Sequence, residues 1–311
     1  MDSKAFQVWL SEIDELTPSQ KLDVAEILAG RAIGGASRAA IEVTVGEDRP
    51  CPHCATLGAV SRGTARGLRR YRCKACGKSF NALTGTPVSA LRYRERWLDF
   101  GRSMADGDTV RAAAARCRIA VSTAFRWRHR WLKALKSGAG KLAGIVEADE
   151  TFVLSSRKGE RNLGRKPRKR GGKAAKRGLS HELTPILVAV DRTGVTISAV
   201  LPSISAASLR SVLEPALSKD ALLVTDGCTS YPPCAAALGV SHKALRLSAG
   251  ERVRGDLHIQ TVNSRHERLK TFLRPKRGVA TKYLANYLNW FHLAGLQSST
   301  PRACLNAAIA G

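Results

Sequence analysis

AGIVEADETFVL, residues 143–154, alternates as a β-strand yet carries acids at Glu147, Asp149 and Glu150. Ile145, Glu147, Asp149, Thr151 and Val153 fall on one face; Val146, Ala148, Glu150, Phe152 and Leu154 fall on the other. Acids are poor strand formers, and burying an unpaired carboxylate costs several kcal/mol. Such a strand is tolerable where its acids bind a cation or lie at an open sheet edge. ALLVTD, residues 221–226, repeats the pattern, with Asp226 ending a strongly apolar strand before Gly227. Carboxyl ends of sheet strands are where α/β proteins place their sites. Asp149 and Asp226 are therefore candidates to hold Mg²⁺ or Mn²⁺ through hard oxygen ligands. The competing reading makes both acids ion-pair partners of the many arginines. Asp191, in a D-x-x-G sequence, reads as a turn residue.

The neighbouring segments supply the rest of an α/β domain. Residues 185–190 and 195–201 read as two strands joined by the Asp191–Gly194 turn, and residues 205–218 as a helix. A short strand is expected near 244–248, a helix over 259–274 ended by Pro275, and a final amphipathic helix around Tyr283–Phe291. This order predicts one domain with a central mixed sheet. On the 259–274 helix, Asn263, Glu267, Lys270 and Arg274 share a face. Asn263 offers a neutral carbonyl oxygen and Lys270 a phosphate-binding cation. A merely wet polar face is the plainer alternative. Between the first two strands, RKGERNLGRKPRKRGGKAAKRG (157–178) holds eleven Lys or Arg residues and is too polar and Gly-rich to fold alone. Arg168, Lys169 and Arg170 at its centre are candidates to grip DNA.

Toward the start of the chain, Cys51, Cys54, Cys73 and Cys76 are spaced C-x2-C-x18-C-x2-C. Two such knuckles at this separation predict a zinc ribbon with four thiolate ligands. A pair of disulfides is the alternative. Ahead of the ribbon, Phe6, Trp9, Leu10 and Ile13 have helical spacing, and Thr17-Pro18-Ser19-Gln20 opens a second helix with a capping-box pattern.

After the ribbon, residues 91–136 read as three helices, the last two separated by a short break as in a helix-turn-helix. Asp108 is the expected N-cap of the second helix and Ser122 of the third. On the third helix, Arg126, Arg130 and Lys133 form one stripe and Val121, Phe125, Leu132 and Leu135 another. The first, with Ser122 and Thr123, is expected to meet DNA, the second to pack. A solvated charged face is the alternative.

The bulk properties agree with a polyanion partner. The 311 residues carry a formal net charge of +26, which favours phosphate neutralisation and counterion release. The basic residues are dispersed, unlike those of a membrane-surface helix. No long apolar run exists and the first residues lack a leader's layout, so a cytoplasmic, nucleoid-associated protein with reduced cysteines is expected.

RPCPHC, YRCKACGKSFNALTGTP, VEADETFV, VTDGCTSY and HIQTVNSRHERLK, in this order, give the chain a resemblance to bacterial insertion-sequence transposases of the ISXO-like group. That resemblance implies a multidomain protein: a helical preamble (1–45), a zinc ribbon (46–86), a helix-turn-helix (87–137) and a ribonuclease-H-like catalytic domain (141–311) with a basic insertion (156–180). It matches Asp149 and Asp226 to the family's two acids, Asn263 to the third position, where other members carry glutamate, and Lys270 to the lysine seven residues later. Glu267 is the rival third ligand. Metal-dependent cleavage and strand transfer of double-stranded DNA, by a dimer or larger assembly on element ends, are the implied activity. A non-cutting DNA-binding regulator and a nuclease without strand transfer are the alternatives.

Overall fold

The computed structural model describes residues 2–16, 35–135, 140–164, 166, 172–176, 180–246, 249–295 and 300–310, without the side chains of 294 and 295. The helix expected from Thr17, and Arg168, Lys169 and Arg170, lie outside the described residues. The chain divides into two compact units, Met1–Ala134 with Ser298–Gly311, and Leu135–Gln297.

In the first unit, α1 (Ser3–Asp14) is capped by Asp2, whose Oδ1 accepts the Ala5 N–H at 2.7 Å. None of its residues is fully buried: Phe6 and Leu10 are exposed, and Trp9 and Ile13 half-buried. After α2 (Gly35–Val43), a three-stranded antiparallel sheet forms from β1 (Val60–Ala65), β2 (Leu68–Arg72) and β3 (Ser79–Phe80). It sets the two cysteine knuckles face to face. The eight cysteines are free thiols, and the four of the knuckles converge on one point instead of joining in two bonded pairs. The four knuckle sulfurs lie within 4.8 Å of one another, with Cys51–Cys76 at 3.7 Å and Cys54–Cys73 at 3.5 Å. Sulfurs at about 2.3 Å from a tetrahedral zinc are about 3.8 Å apart, so this cluster could hold a structural metal such as zinc. Hydrogen bonding with Thr56 pulls the Cys54 thiol down to about 6, whereas Cys76, despite its bond from the Lys78 backbone, is pushed up to about 11 by burial and the neighbouring thiols.

Three helices follow: α3 (Trp97–Ala105), α4 (Val110–Arg116) and α5 (Val121–Ala134). Their core is aromatic, with Phe100 edge-on to Trp127 and Trp131 at 5.3 and 5.0 Å. The caps differ from expectation. Thr109, not Asp108, caps α4 by accepting the Ala112 N–H, while Asp108 pairs with Arg116 at 3.1 Å. Ser122 lies inside the first turn of α5, one residue past its start. The last helix, Pro301–Ala310, packs against α3 and α5, so the expected 141–311 domain loses its far end to the first unit. Gly101 permits this: a Cβ there would lie 2.4 Å from the Pro301 carbonyl oxygen.

The second unit is built on a five-stranded mixed sheet. β4 (Ile145–Leu154) is central, antiparallel to β5 (Leu183–Asp191) and parallel to β7 (Leu222–Thr225). The edges are β6 (Thr196–Val200), antiparallel to β5, and β8 (Ser241–Ala244), parallel to β7. β8 sits ahead of the strand expected at 244–248, and a small hairpin, β9 (Val253–Arg254) with β10 (Leu257–His258), was not anticipated. Helices α6 (Ala206–Leu213) and α7 (Tyr231–Leu238) cover one face through Leu209, Leu213, Tyr231 and Leu238. Helices α8 (Gln260–Leu273) and α9 (Leu284–Gly295) cover the other through Val262, Leu269, Leu284 and Leu288. Apolar residues alternate to both faces of β4 and β5 because both are buried. The Asp191 turn forms as expected: its Oδ1 accepts the Thr193 and Val195 N–H groups at 2.9 and 3.0 Å.

Metal analysis of the purified protein is expected to find about one zinc per chain. Cys73→Ser is expected to lose that zinc and unfold the small three-stranded sheet. A wild-type protein that is folded there and free of metal would contradict this.

Candidate active site

Strand register brings the two aspartates together. The parallel ladder between β4 and β7 runs to Ala148 paired with Thr225, and the next residues are Asp149 and Asp226. β7 stops there, whereas β4 continues along β5 to Leu154. Asp149 is therefore mid-strand on one side and beside an open strand end on the other. Asp149 is paired with Val188, which faces α8 and α9. Val224 faces the same way, and strand alternation turns Asp226 in that direction too. Past the strand, Asp226 Oδ1 accepts the Cys228 N–H at 3.0 Å, closing the turn.

The electrostatics record this closeness. Burial, and then the negative charge of Asp226, push the Asp149 carboxyl up to about 7. The Glu150 N–H, donated to Asp149 Oδ1 at 2.8 Å, and the charge of Lys270 work against that rise. A carboxyl so raised beside a second carboxylate is a natural cation site. Paired carboxylates supply the hard oxygen donors that suit Mg²⁺ or Mn²⁺.

Helix α8 carries the third group of expected residues. Lys270 acts on Asp149 electrostatically and bonds Glu267 at 2.9 Å. Glu267 is far into solvent, its side chain 69% exposed. Asn263 is exposed in the first turn of α8, next to Val262. On the expected DNA-facing surface, Ser122, Arg126, Arg130 and Lys133 are exposed on α5 and Thr123 is half-buried.

Several residues at this site were missed from the sequence. Glu147 is 1% exposed and accepts from Arg192 at 2.6 Å and from the Val262 N–H at 2.9 Å. Arg192 also donates to the Asp256 carbonyl at 2.9 Å. A buried carboxylate in the middle of β4 thus fixes the start of α8, one residue from Asn263. Its signal was the acid at an inward position; its partner, in the Asp191 turn, was too distant in the chain to infer. His266, buried, has Nδ1 3.9 Å from Asp149 Oδ2, and burial drops its pKa to about 4. On the other face, the buried Tyr231 hydroxyl donates to Glu150 Oε1. That bond holds Glu150, whose own carboxyl is raised chiefly by burial and also by Asp226.

Known proteins resemble this chain at both ends of the argument. The family described as ISXO2-like transposase domain matches residues 141–292, and the homeodomain-like domain, a helix-turn-helix family, matches 90–141. An uncharacterized protein in transposable element ISH50 of Halobacterium salinarum (strain ATCC 700922 / JCM 11081 / NRC-1) is 30% identical over 248 residues, 78% of this chain and 84% of that protein. A chain in the crystal structure of a pre-cleavage Mos1 transpososome is 15% identical, covering 68% of this chain and 78% of that one, with a TM-score of 0.25. A likeness that slight establishes no shared fold. With the homeodomain-like match falling on α3–α5 and the transposase match on the sheet that joins Asp149 to Asp226, the chain belongs to the insertion-sequence transposases with an ISXO2-like transposase domain.

Proposed function

We propose that this transposase binds the terminal inverted repeats of its own element, cuts a phosphodiester at each end, and joins the freed 3′-hydroxyl to target DNA. The observation that carries this reading is the register placing Asp149 beside Asp226 at the open end of β7. Asp149 and Asp226 would hold Mg²⁺ or Mn²⁺, and Asn263 would add an uncharged amide oxygen. When bound, such ions supply Lewis-acid stabilisation of charge on the attacking and leaving oxygens. Asn263 is favoured over Glu267 because Glu267 is already paired with Lys270. Lys270, on the same helix, would hold a phosphate oxygen of the strand being cut. Glu147 and Arg192 would fix where α8, and so Asn263, meets that strand. In each step one P–O bond forms as one breaks, first to water and then to a 3′-hydroxyl.

The helix-turn-helix, with Ser122, Thr123, Arg126, Arg130 and Lys133, would read and grip the ends. The basic 156–180 connection, which includes Arg168, Lys169 and Arg170, would clamp DNA beside the site. Pairing two ends calls for a dimer or larger assembly. The mixed sheet, with its acids at adjacent parallel strands, supports a ribonuclease-H-like core.

Incubated with duplexes carrying the element's ends and Mg²⁺, the full-length protein is expected to give joined products. Asp149→Ala and Asn263→Ala are expected to lower cleavage by at least about a hundredfold while leaving end binding intact. Cleavage without joining would make the protein a nuclease, and binding alone a regulator. Retained cleavage in Asn263→Ala, with loss in Glu267→Ala, would reassign the third ligand.

Stability should follow the Asp149 carboxyl. With its pKa raised from 3.8 to about 7 on folding, ionisation of Asp149 costs stability increasingly as pH rises between those values. Below about 4 the carboxyl is protonated folded or unfolded, and the cost vanishes. Asp149→Asn is therefore expected to raise the thermal midpoint in Mg²⁺-free buffer at pH 8 and to leave it unchanged near pH 3. A midpoint lowered at pH 8 would contradict the crowding of charges.

A further inference from the structure

Helix α5 exposes the expected basic stripe and, beside it, two residues that its sequence pattern assigns to the core. Ala124, Trp127, Arg128, Trp131 and Leu132 are buried. Val121 and Phe125, expected in the core, are instead 50% and 45% exposed. The reason is the aromatic core: Trp127 and Trp131 pack on Phe100, and that choice turns residues 121 and 125 outward. Four residues apart, they form one apolar stripe along the first two turns of the helix. Ser122 and Arg126 flank that stripe, and Arg130 and Lys133 continue the exposed face toward the far end. The Phe125 ring lies edge-on to His129, with ring centroids 4.3 Å apart.

We infer that Val121 and Phe125 form a contact site for the 5-methyl groups of thymines in the major groove of the element's end DNA. This rests on the reading that α4 and α5 act as a helix-turn-helix on DNA. In that arrangement, residues near the start of the second helix reach base edges. The thymine methyl is the one apolar group that the major groove offers, and phenylalanine is among the side chains that meet it. Charge selects DNA over a protein partner: α5, VSTAFRWRHRWLKA, contains no acid, and cations border the apolar stripe. The basic residues supply phosphate contacts that carry no sequence information. Val121 and Phe125 would make α5 selective among sequences that the cations bind alike.

The test uses full-length protein and duplexes enriched from a randomised pool by its own binding. Each thymine of the enriched site is replaced in turn by deoxyuridine, which removes the methyl and keeps base pairing. Wild-type binding is expected to weaken about three- to fivefold at one or two positions, the effect of one methyl group leaving an apolar contact. Phe125→Ala or Val121→Ala should bind the thymine and deoxyuridine duplexes alike at those positions, whereas Phe125→Leu should keep part of the discrimination. Both residues are exposed, so circular dichroism should show all variants folded. Equal wild-type binding to every deoxyuridine duplex would overturn the inference while leaving DNA binding intact. Undiminished methyl discrimination in both alanine variants would overturn it too. So would a Phe125→Ala defect that proves to be loss of self-association with discrimination unchanged, which would assign this face to a second copy. A protein that enriches no duplex would overturn the inference together with the reading of end recognition.

Discussion

The cost of a buried Asp149 carboxylate beside Asp226 is the constraint around which the second unit is organised. Burial makes ionisation of Asp149 costly, and the like charge of Asp226 on the neighbouring parallel strand adds to the cost. The surrounding structure holds them there all the same. Val146, Ala148, Leu223 and Val224 are essentially inaccessible, so the strands cannot slip without exposing both faces of the sheet. The strain is local, and apolar burial on both sides of the sheet offsets it. A stability cost tolerated at one point of an otherwise well-satisfied core is the signature expected of a functional site.

Glu147 shows how the site is kept in shape. Two residues before Asp149 on the same face, it is an acid with every role filled: it takes the Arg192 guanidinium and the Val262 N–H. The pair is buried only on the acid's side, Arg192 remaining 33% exposed. Removing one partner of such a pair leaves a buried charge uncompensated, which costs far more than the pair contributes. The hairpin turn that carries Arg192 is itself locked by Asp191, so turn, central strand and helix α8 form one connected polar unit. The β4 acids divide by this test. Glu147 is structural because its partners are complete, whereas Asp149 is crowded by like charge.

Much of this was legible in the sequence, for identifiable reasons. Alternation placed β4, and the apolar run before Asp226 placed β7, because a buried sheet forces these patterns. The cysteine spacing announced the knuckles because a tetrahedral metal admits few spacings. The D-x-x-G turn read correctly because its hydrogen bonds are local. What escaped depends on contacts remote in the chain. Nothing near Glu147 names Arg192, and nothing near Gly101 announces that Pro301 will lie against it. The rotation of α5 was misread because two apolar stripes competed, and the tryptophans, with the larger surface to bury, took the core. The cap of α4 shifted by a single residue, to Thr109, because two adjacent polar side chains there could serve.

The central claim is that Asp149 and Asp226 together hold a divalent cation. Mn²⁺ binding to the full-length protein with its cysteine cluster filled, followed by electron paramagnetic resonance, tests it most directly. The account predicts binding to the wild type that falls at least about tenfold in Asp149→Asn and in Asp226→Asn alike, since each removes half of the charge that attracts the ion. Equal Mn²⁺ binding by all three proteins would contradict it.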